Sequence, residues 1–149
     1  MLIVRRKKTM EYCIEQIESI LERKLLEAAN YFGDRKIRVI DIGVFPWHKK
    51  IELSLLFSDE DAEIDDIAGW PHYDFSKMSE GGWDEAQELA SDIAEIWEQD
   101  HDALPIFMDF GTAATSEKVI NVVNRFNRAS DFVVQVLDPD DSNSENYCA

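Results

Sequence analysis

Apolar residues recur at three- and four-residue steps from Met10 through Cys13, Ile14, Ile17, Ile20, Leu21, Leu25 and Ala28 to Phe32. That spacing lines one face of a 3.6-period helix. Thr9 is placed to cap its start, and Gly33 to stop it just past the last turn. β-Formers then dominate Ile37 to Phe45, and the turn signal Pro46-Trp47-His48-Lys49 follows. The return, Ile51 to Phe57, puts Ile51, Leu53 and Leu55 on one face and Glu52 and Ser54 on the other. The pattern predicts an antiparallel hairpin half-covered by the first helix.

Helical spacing returns between Trp83 and His101, where Trp83, Ala86, Leu89, Ala90, Ile93, Ala94, Ile96 and Trp97 form the apolar stripe. Gly81-Gly82 precede it, and Asp84 and Glu85 occupy the first turn, where the helix dipole favours anions. Trp83 and Trp97, about four turns apart, should both lie buried on the core side of this helix. Leu104 to Phe110 reads as a short strand with Pro105 confined to its start. Thr115 or Ser116 caps a third helix running to about Ala129, and Phe132 to Leu137 reads as a closing strand. The polar ends, 1–8 and 139–149, are expected to be loose. The order α-β-β-α-(β)-α-β describes one α+β domain over residues 1–149. It has an antiparallel or mixed sheet of three or four strands packed with three helices.

Composition narrows the class. With 149 residues and 45% hydrophobic content, the chain can bury one sizeable core. No apolar run approaches the roughly 20 residues that span a bilayer, and the start has its apolar residues before its basic ones, the wrong order for a secretory signal. Cys13 and Cys148 are too few and too far apart for a disulfide framework or a zinc site, which points to a reducing cytoplasm.

Charge changes the picture. The whole net charge of −16 falls between Phe57 and Phe110, where 17 acids face one base, Lys77. Acids outside that window are balanced, so a general adaptation to high salt, which would spread them, does not explain it. The basic run Arg5 to Lys8 is too small beside this body to imply nucleic acid or an anionic membrane.

Three parts of the window are candidates for binding a basic protein. Asp59, Glu60, Asp61, Asp65 and Asp66 follow the hairpin. Trp70, His72 and Tyr73, flanked by Asp74, supply aromatic groups in a loop shaped by Gly69 and Pro71. Glu85, Glu88, Asp92 and Glu95 share one flank of the second helix, with no Lys or Arg at compensating positions of that helix. Charge would steer the encounter and aromatics would anchor it. The competing explanation is a solvated acidic face that serves solubility alone.

Chemistry of other kinds finds little support. Asp59-x-Asp61-x-Glu63 opens like a calcium loop, but Ile64 stands where Gly is needed and Trp70 where a bidentate Glu is needed. Glu98-x-x-His101 has no second copy to build a di-iron site. No phosphate-binding Gly-rich loop, nucleophile elbow or zinc-protease motif occurs. No catalytic residue, metal ligand or cofactor is therefore assigned. A paired-carboxylate enzyme stays open, since any two acids could face each other and the sequence does not pick the pair.

From the second strand onward the chain resembles small bacterial immunity-type proteins encoded beside polymorphic or contact-dependent growth-inhibition toxins. The resemblance rests on Ile51–Phe57 ending in Ser58-Asp59-Glu60, on Trp70-Pro71-x-x-x-Phe75, on two helices, and on the closing Phe132-Val-Val-Gln-Val-Leu-Asp-Pro-Asp140. Gly69 stands where the pattern has a basic residue and Phe75 where it has a second Trp, so no residue role is carried over. The resemblance implies an immunity function, and with the acidic window the expectation is a cytoplasmic inhibitor of a basic toxin domain, a nuclease being the class whose phosphate-binding groove a carboxylate cluster complements, with no direct nucleic-acid or membrane contact. The other classes in play are an acidic adaptor or nucleic-acid mimic acting on a host protein, and a carboxylate- or metal-dependent enzyme. Nothing in the chain sets the oligomeric state.

Overall fold

Helix α1 spans Ile14–Phe32 in the computed structural model, which describes residues 12–78 and 82–149. Thr9, Met10 and the end 1–8 lie outside the described residues. Cys13 is not on the apolar stripe as the spacing predicted. It is the exposed N-cap, its amide donating to Gln16 Oε1 at 2.8 Å. From Ile17 onward the predicted stripe is buried, and Gly33 closes the helix at φ 61, a conformation costly for residues with a Cβ. Lys24 is buried within the stripe and reaches Glu27 (3.0 Å) and the Gly82 carbonyl (2.8 Å).

Strands β1 (Lys36–Phe45) and β2 (Lys50–Phe57) form the predicted antiparallel hairpin through a 3-10 turn at Pro46–His48. The last strand, β3 (Asn127–Gln135), pairs parallel to the other edge of β1, giving a mixed sheet of order β2-β1-β3. It begins before the expected Phe132, because the preceding helix ends sooner than its polar continuation suggested.

A bulge between Ile37 and Val39 fixes which side chains face where. Ile37, Ile40, Ile42 and Val44 join Ile51, Leu53, Leu55 and Phe57 in the core shared with the helices. Val39, Asp41, Gly43, Glu52, Ser54 and Leu56 occupy the opposite face. The alternation was read correctly, but this face is not open. Glu52 and Ser54 are 3% and 1% exposed, because the segment 58–74 folds over them, Tyr73 bonding Glu52 and the Asp74 amide donating to Ser54. A small second core forms there from Val39, Leu56 and Trp70.

After the single turn α2 (Phe75–Met78) and helix α3 (Asp84–Asp100), the expected strand at Leu104–Phe110 is helix α4, Leu104–Ala114. Pro105 sits in its first turn, where its missing N–H costs nothing. Ile106, Phe107, Phe110, Ala113 and Ala114 make a helical stripe that continues past Gly111. Helix α5 (Glu117–Val123) is capped by Ser116, whose hydroxyl accepts from Val119 N. Four helices longer than one turn are thus present among the described residues, where three were expected, in a single α+β unit.

The tail is a further correction. Residues 139–149 are not loose: the Asn146 side chain accepts from Val136 N (3.1 Å) and Cys148 N (2.9 Å) and donates to the Val134 carbonyl (3.0 Å). Tyr147 stacks on Phe107 with ring centroids 5.7 Å apart. No helix among the described residues is long and apolar enough to cross a membrane.

Candidate functional site

Helix α3 carries the acidic row. Its buried stripe of Ala86, Leu89, Ala90, Ile93 and Ala94 turns Glu85, Glu88, Asp92 and Glu95 toward one flank. Trp83 and Trp97 both pack on the core as half-buried side chains, and Trp97 meets Trp47 of the hairpin turn at 6.1 Å and stacks on His101 at 4.4 Å. Glu85 has a partner the helix pattern could not reveal, Arg23 of α1, at 2.8 Å. No cation among the described residues pairs with Glu88, Asp92 or Glu95. The Asp92 carboxyl is pushed above its ordinary range by partial burial and then by repulsion from Glu95 and Glu88. Glu85, Glu88 and Asp92 of the row wall an open groove of about 430 Å3, whose other side is Cys13, Glu15, Gln16, Ser19 and Arg23 from the first half of α1 and whose floor includes Ile20 and Leu89.

The acids and aromatics of residues 58–74 divide into two groups. Glu60 is structural: one oxygen accepts from Phe57 N at 2.9 Å, while the other meets His72 Nε2 at 3.1 Å and Arg35 at 3.4 Å. Arg35 also holds Asp59 at 3.0 Å and lies over the Phe57 ring, 4.2 Å from its centroid. His72 stands edge-on to Phe32 and Phe57. Trp70 is no surface anchor, being 3% exposed with its indole N–H donating to the Glu63 carbonyl at 2.9 Å. Asp74 is likewise buried, at φ 52, its amide donating to Ser54 Oγ and its carboxylate accepting from Ser76. Asp61, Asp65 and Asp66 remain exposed. The sequence therefore placed on one surface groups that the fold separates.

Tyr73 leads to a place the sequence did not single out. On the sheet face away from the helices lies a cleft of about 510 Å3. Asp41 and Gly43 of β1, Glu52 of β2 and Gln135 of β3 make its floor. Phe45, Ile64, Ile67, Ala68, Tyr73, Leu137 and Pro139 supply most of its walls. Gln135 Nε2 donates to Asp41 Oδ1 at 2.9 Å, and Lys50 Nζ reaches Glu52 at 2.8 Å. Burial raises the Asp41 carboxyl to about 6, opposed by the Gln135 bond and assisted by Glu52. Burial and Glu52 together raise the Tyr73 hydroxyl to about 12. One signal existed: Asp41 interrupts the otherwise apolar run Val39–Phe45, and the hairpin register puts it opposite Ser54, beside Glu52.

Comparison with protein-family models, curated proteins and solved structures finds no match. Among the described residues no group of three or more His, Cys, Asp or Glu side chains is placed to hold a metal ion.

Proposed function

We propose that this chain is an immunity-type inhibitor that binds a basic toxin domain through the groove between α1 and α3. The observation that carries the reading is the row Glu88, Asp92 and Glu95, paired by no cation among the described residues and held on one helix flank although its members repel one another. Like charges at this spacing lower helix stability, so a partner that supplies the missing cations gains from a surface already arranged. Nucleases are the fitting class, since they present basic grooves to phosphates. Exposed ion pairs are worth only about 0–1 kcal/mol each, so in this reading the partner also seats apolar side chains above Ile20 and Leu89. The exposed Asp61, Asp65 and Asp66 add to the field that draws the partner in. The inhibitor acts in the cytoplasm and uses no catalytic residue or cofactor.

Co-expression with a basic toxin domain, sought first among the genes adjacent to this one, is the direct test. The wild-type protein should restore growth, and the E88Q/D92N/E95Q variant should restore it less. An adaptor or nucleic-acid mimic would give no rescue, and undiminished rescue by the variant would remove the acidic row from the mechanism.

A further inference from the structure

The cleft on the far face of the sheet shares Asp65 with the inhibitor reading but stands independently of it. Its two floor carboxylates differ in their partners. Glu52 has the Lys50 ammonium at 2.8 Å. Among the described residues Asp41, 6% exposed, has only the neutral Gln135 carboxamide as a hydrogen-bond partner, and no cation reaches it. A buried carboxylate held by one neutral partner is an incomplete arrangement.

Gly43 keeps the space above it open: a Cβ there would stand 3.7 Å from Asp41 Oδ2 and 3.0 Å from the Phe45 ring. The surroundings favour an organic ion over a metal, because apolar walls outnumber oxygen donors. A cleft of about 510 Å3 is also far larger than a bare ion needs.

We infer that this cleft binds a small organic cation, an ammonium carried on an apolar or aromatic body. Its N–H groups donate to the Asp41 carboxylate and to the Gln135 side-chain carbonyl, while its body packs against Tyr73 and Leu137.

The ammonium pairs with ionised Asp41, so affinity should climb as pH rises through about 6 and level off above it. The other charged or titratable groups facing this region are Glu52 and Lys50 of β2, Asp65, Tyr73 and Asp74 of the covering segment, and Cys148 of the tail. Burial raises the Tyr73 hydroxyl to about 12 and the Cys148 thiol to about 11, so both keep their protons across this range.

The test is an amide NMR titration of the full chain with 2-phenylethylamine, with its neutral counterpart 2-phenylethanol, and with the anion 3-phenylpropionate. The amine should shift Gly43, Ile67 and Gln135, with the alcohol at least tenfold weaker and the anion without effect. Asp41→Asn should weaken the amine at least tenfold and flatten its pH dependence between about pH 5 and about pH 7. Ser142→Trp, at the exposed rim, should block entry at an unchanged melting temperature. The inference is overturned if the alcohol matches the amine, if no probe shifts these amides up to its solubility limit, or if folded Asp41→Asn keeps full affinity. Should Asp41→Asn fail to fold, undiminished binding by Ser142→Trp overturns it equally.

Discussion

Folding takes the Asp41 carboxylate out of water and gives it one neutral hydrogen bond in return. The native state therefore keeps this proton up to about pH 6, whereas an unfolded aspartate releases it near 3.8. Between those values the native chain binds more protons, so this group favours folding most in acid, and its contribution falls as pH rises through about 6. Asp41→Asn keeps an acceptor for Gln135 and removes the charge. It should raise stability at pH 7 by on the order of 1–3 kcal/mol. The gain over wild type should shrink toward pH 4, as read from urea midpoints at several pH values. A gain independent of pH would mean that Asp41 is not the group strained by burial.

Glu60 shows the opposite case, a carboxylate with Phe57 N, Arg35 and His72 around it. Asp41 stood out as the one acid in an apolar run, but nothing in the acids from Asp59 to Asp66 marked Glu60 as the one that folding would partner. Burial and partners decide the two roles, and both come from chain segments distant in sequence.

At the scale of elements, α4 and the tail are understood together. The apolar run from Leu104 looked like a strand because its first residues fit either period, and only Ala113 and Ala114, beyond Gly111, complete the helical stripe. Gly111 is there because the tail crosses it: a Cβ would collide with the Tyr147 carbonyl oxygen. Gly111→Ala should therefore displace residues 146–149, breaking the Asn146 bonds and the Tyr147–Phe107 contact. The expected cost is about 2–4 kcal/mol despite the better helix propensity of alanine. Thermal melts and early proteolysis of the tail would show it, and an unchanged melt would mean that the tail does not rest on α4.

In α3 the periodicity was strong and both boundaries were legible, from Trp83 to His101. The E88Q/D92N/E95Q variant should stabilise the protein by a few tenths of a kcal/mol per relieved pair, measurable by urea denaturation at low salt. Glu85 is left out because Arg23 already holds it.

For the molecule as a whole, the hairpin, the first helix and the α+β class were readable because period and turn chemistry agree there. The second layer was not. Residues 58–74 and the tail lack periodicity, yet they cover the sheet face that alternation assigned to the outside, and with it hide Trp70 and Asp74 and form the Asp41 cleft. What remains outward among the predicted groups is the α3 flank and the exposed loop acids, and the central claim rests on that flank.

The rate of association with a basic toxin domain of the proposed class, followed by stopped flow as salt is raised from low to physiological strength, tests the claim most directly. Wild-type association should slow steeply with salt, and the E88Q/D92N/E95Q variant should associate at least tenfold more slowly at low salt, with a weaker salt dependence and a dissociation rate little changed. Equal association rates for the two proteins at every salt concentration would contradict it and leave the acidic face as a solvated surface.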